Sequence, residues 1–204
     1  MPTREEILES WSRVGAGGYE EFCQGAPLAQ DPQYGPEELN VRGGICQALC
    51  QAFVDLRMVG TDAPATVARL KEQFYSCARR QNDINHHRLP PTLTPDGHSV
   101  PFGDWKGGVV FKSVDGPKSL AKKMVRAPTI TVFSFGPAFG ASGHDIAFDS
   151  RNDQLHFFDP NFGYFFAENP NEDALIAFLR DTWAEFSYSV RGRVTKHYRK
   201  VYAS

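Results

Sequence analysis

Two stretches of alternating residues, 143–149 and 155–163, restrict the possible folds of this chain more than any other part of it. Turn-forming residues occupy positions 150–153 between them, so we predict an antiparallel hairpin centred on that turn. The predicted register has three facing pairs: Phe148 with Leu155, Ile146 with Phe157, and His144 with Asp159. Because side chains alternate between the faces of a strand, all three pairs point to one side. Facing Cβ atoms are roughly 4.5–5.5 Å apart, which predicts a hydrogen-bonded histidine–aspartate pair at the open end of the hairpin.

Cys46 is the candidate for the nucleophile that such a histidine–aspartate pair usually serves. It follows Gly43 and Gly44 at a point where a loop is predicted to enter a helix. The first amides of a helix are unpaired and carry partial positive charge, and both properties favour a thiolate over a thiol. A neighbouring imidazolium favours the thiolate further. A cysteine at a helix start, followed later in the chain by histidine and aspartate on a sheet, is typical of papain-like enzymes.

Three short blocks of sequence carry a more specific pattern. They are Gly-Ile-Cys at 44–46, Gly-His-Asp-Ile-Ala-Phe at 143–148, and Phe-Phe-Asp-Pro-Asn-Phe-Gly at 157–163. Together they resemble the YopT-type (YopT/AvrPphB-like) cysteine peptidases, a papain-fold family of bacterial effectors. The similarity runs from about residue 43 to about residue 166.

The resemblance implies a role for each of three residues. Cys46 is the nucleophile, His144 is the general base, and Asp159 is the carboxylate that orients the imidazole. It also implies a cysteine endopeptidase that works through a thioester intermediate. The protein is then expected to be made in the bacterial cytoplasm and injected into a host cell cytosol. Its expected substrate is a host protein, most simply a signalling protein.

Net charge and hydropathy argue against nucleic acid and membranes as partners. The formal net charge of -2 provides no general attraction to nucleic acid or to an anionic membrane. No apolar run approaches the ~20 residues of a transmembrane helix. Residues 1–6 are not followed by an apolar core segment, so no secretory signal peptide is predicted. Secretion would therefore have to proceed without a signal peptide.

Asn40 is the candidate for a second oxyanion donor. It lies six residues before Cys46, in the preceding loop. Papain-like enzymes place an amide side chain in this region, beside the backbone amide of the cysteine, to bind the oxyanion. The alternative is that Asn40 caps a turn in the loop.

Two other functions are compatible with the same residues. An acyl- or amide-transfer enzyme, such as a transglutaminase or a deamidase, would use the same triad and differ only in what intercepts the thioester. A catalytically dead papain-like module would bind a partner protein and have an unreactive Cys46. Three other side chains adjoin the predicted triad but do not share its face at the open end of the hairpin: His156, Asp145 and Asp153.

No metal or cofactor is predicted. His86, His87 and His98 fall in a long loop at 81–104, without an acidic or thiol partner at metal spacing. The triad residues themselves are a minor alternative as zinc ligands. The four cysteines show no CxxC pair, which indicates free thiols in a reducing compartment: Cys23, Cys46, Cys50 and Cys77. Cys50 is expected to be an inert, packed thiol.

The order of elements predicts the α+β class, a papain-like fold in which an N-terminal helical part packs on an antiparallel sheet. At 204 residues the chain is predicted to be a single domain, with 1–35 as a candidate peripheral segment in which Trp11 is expected to pack in the core. Helices are predicted at 3–14, 45–60, 61–80, 117–125 and 171–180. Strands outside the hairpin are predicted at 109–111, 129–135, 164–166, 186–190 and 194–202.

Overall fold

The computed structural model describes residues 3–34, 39, 41, 44–86, 106–111, 116–126, 128, 130–136, 144–183 and 194–201. At 106–111, 134–136 and 194–201 only the backbone is described. Several predicted features lie outside these residues: Asn40, Gly43, His87, His98, most of the 81–104 loop and the strand at 186–190.

One antiparallel sheet contains the seven described strands. These are β1 (Ala16–Glu20), β2 (Lys106–Phe111), β3 (Ile130–Gly136), β4 (His144–Asp149), β5 (Gln154–Asp159), β6 (Gly163–Glu168) and β7 (Val194–Val201). Their order across the sheet is β1-β6-β5-β4-β3-β7-β2. The predicted hairpin, β4 and β5, therefore lies in the interior of the sheet, where both of its strands have neighbours on either side.

Helices cover both faces of the sheet. They are α1 (Arg4–Ser12), α2 (Gly25–Gln30), α3 (Cys46–Met58), α4 (Ala63–Glu72), α5 (Phe74–Asn85), α6 (Gly116–Arg126) and α7 (Glu172–Ala177). A 3₁₀ turn at Pro32–Tyr34 and a π-helical turn at Phe178–Trp183 complete the described helical segments. No described helix is long and apolar enough to cross a membrane. This combination of helices and an antiparallel sheet confirms the predicted α+β class.

Alternation along β4 and β5 divides the apolar side chains between two cores. One core contains residues of α1, α6 and α7, together with Ile146, Phe148, Leu155 and Phe157 from the hairpin. The other contains residues of α3, α4 and α5, together with Ala147 and Phe158. The helix that begins at Cys46 thus packs on the hairpin face that carries Ala147 and Phe158. The predicted apolar face of the hairpin packs in the core that contains α1, α6 and α7.

The β4–β5 register differs from the predicted one. The observed pairs are Ala147 with Phe158, Phe148 with Phe157 and Asp149 with His156, so Phe148 is paired two residues further along β5 than predicted. The turn is the cause. Asn152 and Asp153 both have positive φ, 59° and 56°. The amide of Gln154 donates to the carbonyl of Arg151 at 3.2 Å, which makes this a two-residue turn of the type I′ geometry that Asn and Asp tolerate. A shift of two residues leaves every side chain on its predicted face.

The predicted helix at 61–80 is two helices. Asp62 caps α4 through a hydrogen bond from the amide of Ala65, and Gln73 separates the two helices as the C-cap of α4 and the N-cap of α5. The prediction of one helix was wrong because the apolar spacing runs across the break without a glycine or proline. That apolar stripe is buried in one core as predicted: Val67, Leu70, Phe74 and Cys77.

The N-terminal residues belong to the sheet and to one of its cores. Thr3 and Glu6 form a capping box at the start of α1. Trp11 is 1% exposed, and its indole donates to the carbonyl of Phe166 at 3.0 Å. The predicted packing of Trp11 in the core is confirmed. β1 follows and pairs with β6, which makes it an edge strand of the sheet.

Candidate active site

Three predicted residues meet at the ends of three elements. His144 is the first residue of β4, Asp159 is the last residue of β5, and Cys46 is the first residue of α3. The β4–β5 hairpin brings the histidine and the aspartate together, and α3 packs across β4 to bring the cysteine to the same end.

The His144 imidazole interacts with both of the other side chains. Its Nε2 lies 2.9 Å from Oδ1 of Asp159. It also interacts with the Cys46 side chain, and this interaction contributes to the raised pKa of His144. Because Nε2 is engaged by the carboxylate, Nδ1 is the ring nitrogen that can exchange a proton with the Cys46 sulfur. The His144 side chain is 19% exposed and that of Asp159 only 1%, so the carboxylate is the buried member of the pair.

Asp159 accepts hydrogen bonds from three donors on different elements. Besides the His144 ring, the amide of Asn161 donates to Oδ1 at 2.9 Å and the indole of Trp183 donates to Oδ2 at 2.7 Å. Burial alone would raise the pKa of this carboxyl group. The charge of His144 and the three hydrogen bonds outweigh burial, so the pKa of Asp159 lies below its usual value. The side chain is therefore a fixed, ionised acceptor.

The same contacts act in the opposite direction on the histidine. Burial favours the neutral ring, but the Asp159 charge, its hydrogen bond and the contact with Cys46 raise the pKa of His144 well above its usual value. Asp159 therefore favours the protonated form of the ring that lies beside Cys46.

Cys46 lies at a helix end whose amides are bound by remote side chains. Ile45, the N-cap residue of α3, provides no side-chain cap. Instead, Oε1 of Gln24 accepts a hydrogen bond from the amide of Ile45 at 2.8 Å, and Oε1 of Gln81 accepts one from the amide of Ala48 at 3.1 Å. These bonds satisfy amides that the start of a helix leaves without intrahelical partners.

The alternative imidazole and carboxylates are engaged elsewhere. His156 faces the core that contains α3, α4 and α5, where its Nδ1 lies 2.7 Å from the hydroxyl of Tyr164. Burial there disfavours the cation and lowers the pKa of His156 to about 4. Asp145 is buried on the α3 side of the sheet, where its charge acts on Cys50. Asp153 is an exposed turn residue at the far end of the hairpin.

The other described cysteines do not share this environment. Cys50 is fully buried, and burial raises its pKa well above the usual value, which agrees with an inert, packed thiol. Cys77 is also buried, and Cys23 is exposed. Within the described parts of the chain, no three histidine, cysteine, aspartate or glutamate side chains are grouped as metal ligands. His86 is exposed, with its ring 2.7 Å from the carbonyl of Asn82.

Sequence reasoning missed three residues that contact this site. Asn161 lies in the Asp-Pro-Asn block, so its position next to Asp159 could have been noticed. Trp183 lies 24 residues after Asp159, and Gln24 lies 22 residues before Cys46, with no pattern that connects either of them to the site. Asn40, the predicted oxyanion donor, is outside the described residues.

Comparison with known protein families gives a match over half of the chain. Residues 98–199, which are 102 of the 204 residues, match the model of the peptidase C58 family, described as Yersinia/Haemophilus virulence surface antigen. The matched segment includes His144 and Asp159 and begins after Cys46. No curated protein sequence matches the chain.

Comparison with solved structures shows the fold. The crystal structure of the Pseudomonas avirulence protein AvrPphB superposes with a TM-score of 0.56 at 17% sequence identity, over 90% of this chain and 97% of that one. PatoxP, a cysteine protease-like domain of the Photorhabdus asymbiotica toxin PaTox, gives a TM-score of 0.48 at 11% identity, over 98% of this chain and 58% of that one. The similarity to AvrPphB confirms the predicted papain-like fold.

Proposed function

This chain belongs to the peptidase C58 family, and we propose that it is a cysteine peptidase whose reaction depends on Cys46, His144 and Asp159. One observation carries the proposal: Nε2 of the His144 imidazole lies 2.9 Å from the Asp159 carboxylate, and the same ring interacts with the Cys46 side chain. A nucleophile in contact with a base, whose other nitrogen is held by a carboxylate, is the arrangement that nucleophilic acyl transfer requires.

In the first half of the proposed reaction, the Cys46 thiolate attacks the carbonyl carbon of a peptide bond. The imidazolium of His144 then gives its proton to the leaving amine, so the C–N bond breaks and a thioester forms on Cys46. Asp159 keeps the ring oriented through Nε2, because its own two oxygens are fixed by Asn161 and Trp183.

In the second half, neutral His144 takes a proton from water, and the hydroxide attacks the thioester. The C–S bond breaks, the acid product leaves, and the proton returns to the Cys46–His144 pair. The backbone amide of Cys46, at the start of α3, is the proposed donor to the oxyanion in both halves. Asn40 is proposed as the second donor.

The proposed biological role is that of an injected bacterial effector that cleaves a host protein. The family description as a virulence surface antigen supports a role in infection. The papain-like fold supports a protein substrate. A host signalling protein is the proposed target.

The nucleophile can be tested without a known substrate. Iodoacetamide labelling at about pH 5.5 and about pH 8.5, followed by peptide mass spectrometry, measures thiolate content, because an unperturbed thiol titrates near 8.5. We expect Cys46 alone to react fast at the lower pH, and His144→Ala to lose that reaction. Cys23→Ala, at an exposed cysteine, is the matched control and should not alter labelling of Cys46. Equal, slow labelling of all accessible cysteines at the lower pH would contradict the proposal and favour a dead binding module.

Product masses separate hydrolysis from the transfer reactions. Eukaryotic cell lysate is incubated with the wild-type protein or with Cys46→Ala, and new peptide N-termini are quantified by mass spectrometry. Hydrolysis predicts new N-termini that depend on Cys46. Glutamine residues converted to glutamate, or cross-linked to amines, without new N-termini would identify a deamidase or a transglutaminase instead.

A further inference from the structure

Gln24 contacts both the start of the cysteine helix and the turn that carries the aspartate. It is 3% exposed, and its backbone amide and both polar atoms of its side chain bind residues on these two elements. Its backbone amide donates to the carbonyl of Pro160 at 2.8 Å. In its side chain, Oε1 accepts from the backbone amide of Ile45 at 2.8 Å, and Nε2 donates to Oδ1 of Asn161 at 2.8 Å. Gln24 thereby connects α3 to the β5–β6 turn.

At the α3 end, the contact is directly next to the nucleophile. Ile45 precedes Cys46 and is fully buried, and Gln24 is the side chain that accepts a hydrogen bond from its amide. Gly44 lies beside the Gln24 side chain, because a Cβ added at Gly44 would be 3.7 Å from Nε2. Its φ of +121° brings the chain past Gln24 in a conformation that favours glycine.

At the other end, the contact is directly next to the orienting carboxylate. The amide of Asn161, whose side chain accepts from Gln24, donates to Oδ1 of Asp159, the same oxygen that His144 binds. The amide of Phe162 donates to the backbone carbonyl of Asp159 at 3.0 Å and closes the turn. A movement of Asn161 is therefore transmitted to the atom that holds the imidazole.

We propose that Gln24 is a positioning residue that sets the placement of Cys46 relative to the His144–Asp159 pair. This inference rests on the proposed function. A primary amide suits the position because one neighbour, the Ile45 amide, is a donor and the other, the Asn161 side-chain oxygen, is an acceptor. The side chain transfers no proton; it keeps the nucleophile and its base on one rigid connection, so that the thiol meets the imidazole.

Gln81 provides a matched control for this connection. It is also buried, at 6% exposed, and it also binds an amide of the first turn of α3, that of Ala48. Its Nε2 donates to Asn85 on α5 at 3.0 Å. Replacing Gln81 therefore removes a similar buried bond from the same helix end and leaves the link to the β5–β6 turn intact.

The test compares Gln24→Ala with Gln81→Ala by iodoacetamide labelling of Cys46 at about pH 5.5 and about pH 8.5. Thermal unfolding of each variant reports stability. We expect both variants to lose stability, but only Gln24→Ala to lose low-pH reactivity, on the order of tenfold to 100-fold, because misplacement of reacting groups has effects of that size. At the higher pH, where any thiol is increasingly ionised, Gln24→Ala should react nearly as fast as the wild type.

A second variant decides the matter if Gln24→Ala does not fold. Asn161→Ala removes the hydrogen bond from Nε2 of Gln24 and keeps the one between Gln24 and the Ile45 amide. It should also lower the reactivity of Cys46 at about pH 5.5 relative to about pH 8.5. An unchanged ratio of the two rates in whichever variants fold would show that Gln24 only stabilises the fold. The outcome is separate from that of the proposed function: wild-type protein without selective low-pH labelling overturns the function, whereas labelled wild type with an unchanged Gln24→Ala ratio overturns this inference alone.

Discussion

Nε2 of His144 lies 2.9 Å from Oδ1 of Asp159 although the two residues do not face each other across the β4–β5 pair. With Phe148 opposite Phe157, they are diagonal neighbours on one face. Diagonal neighbours have Cα atoms roughly 7–8 Å apart, a gap that an imidazole and a carboxylate can close. The contact therefore depends on how firmly Asp159 is held by groups other than the histidine.

Trp183 is predicted to be one of those groups. Trp183→Phe removes the indole donor to Oδ2 of Asp159 and keeps most of the ring packing. A hydrogen bond to a charged group is worth about 1.5–3 kcal/mol, so we expect a loss of unfolding free energy of that size in urea denaturation. We also expect slower Cys46 alkylation at low pH, because Asp159 orients His144 less firmly.

Trp11→Phe is the matched control for that substitution. Trp11 lies in the same core, and its indole donates to a neutral carbonyl instead of a carboxylate. It should lower stability and leave the pH dependence of Cys46 alkylation as in the wild type. If both tryptophan variants changed the alkylation equally, the indole of Trp183 would have no specific part in holding the carboxylate.

His156 is predicted to make the protein less stable in acid. Its pKa is about 4 in the folded state against ~6.5 when unfolded, since burial and the charges of Arg57 and Arg151 disfavour the cation that Asp149 favours. The unfolded chain binds the extra proton between these values. The contribution of neutral His156 to the unfolding free energy is therefore complete above about pH 6.5. It is lost as the pH falls towards 4, and the loss is about 3 kcal/mol in all.

His156→Gln should remove that part of the pH dependence. The measurement is urea denaturation of wild-type and variant protein at several pH values between about 7 and about 4. We expect the wild type to lose about 3 kcal/mol more than the variant over this range. Parallel curves would mean that His156 takes up its proton in the folded state as readily as in the unfolded chain.

Asp149 is predicted to be costly to remove. It is 1% exposed and accepts from Arg57 at 3.1 Å and from Nε of Arg151 at 2.8 Å, which hold its pKa below the usual range against the effect of burial. Asp149→Ala leaves the buried Arg57 without its carboxylate. Such a change typically costs about 3–5 kcal/mol, measurable by urea denaturation.

An exposed ion pair serves as the comparison for Asp149. Glu9 binds Arg13 at 2.7 Å on α1, and both side chains are 70% exposed. Glu9→Gln should leave the urea midpoint unchanged, because solvent screens such a pair. A loss for Asp149→Ala no greater than for Glu9→Gln would contradict the buried network.

The hairpin turn is predicted to prefer glycine at Asp153. With φ at 56°, a residue with a Cβ is strained there, and aspartate is tolerated better than alanine. Asp153→Gly should be more stable than Asp153→Ala by about 1 kcal/mol, as measured by urea denaturation. Equal stability of the two variants would contradict the positive φ and, with it, the two-residue turn that sets the β4–β5 register.

Local pattern was sufficient for the main parts of this structure. Period-two alternation put His144 and Asp159 on one face, and a register error of two residues could not move either to the other face. Apolar periodicity located the helix that starts at Cys46. The α+β class follows from the same two patterns, because each pattern involves only residues that are close together in the chain.

Tertiary structure alone decided how the parts are held together. The two-residue turn at Asn152 and Asp153 set the register. The supports of Asp159 and Cys46 come from Trp183 and Gln24, whose contacts span 24 residues to Asp159, 21 to Ile45 and 137 to Asn161. Such contacts arise when two elements pack face to face, and a buried polar atom then binds whichever donor or acceptor the packing brings to it. No local pattern in the sequence records which residue that is.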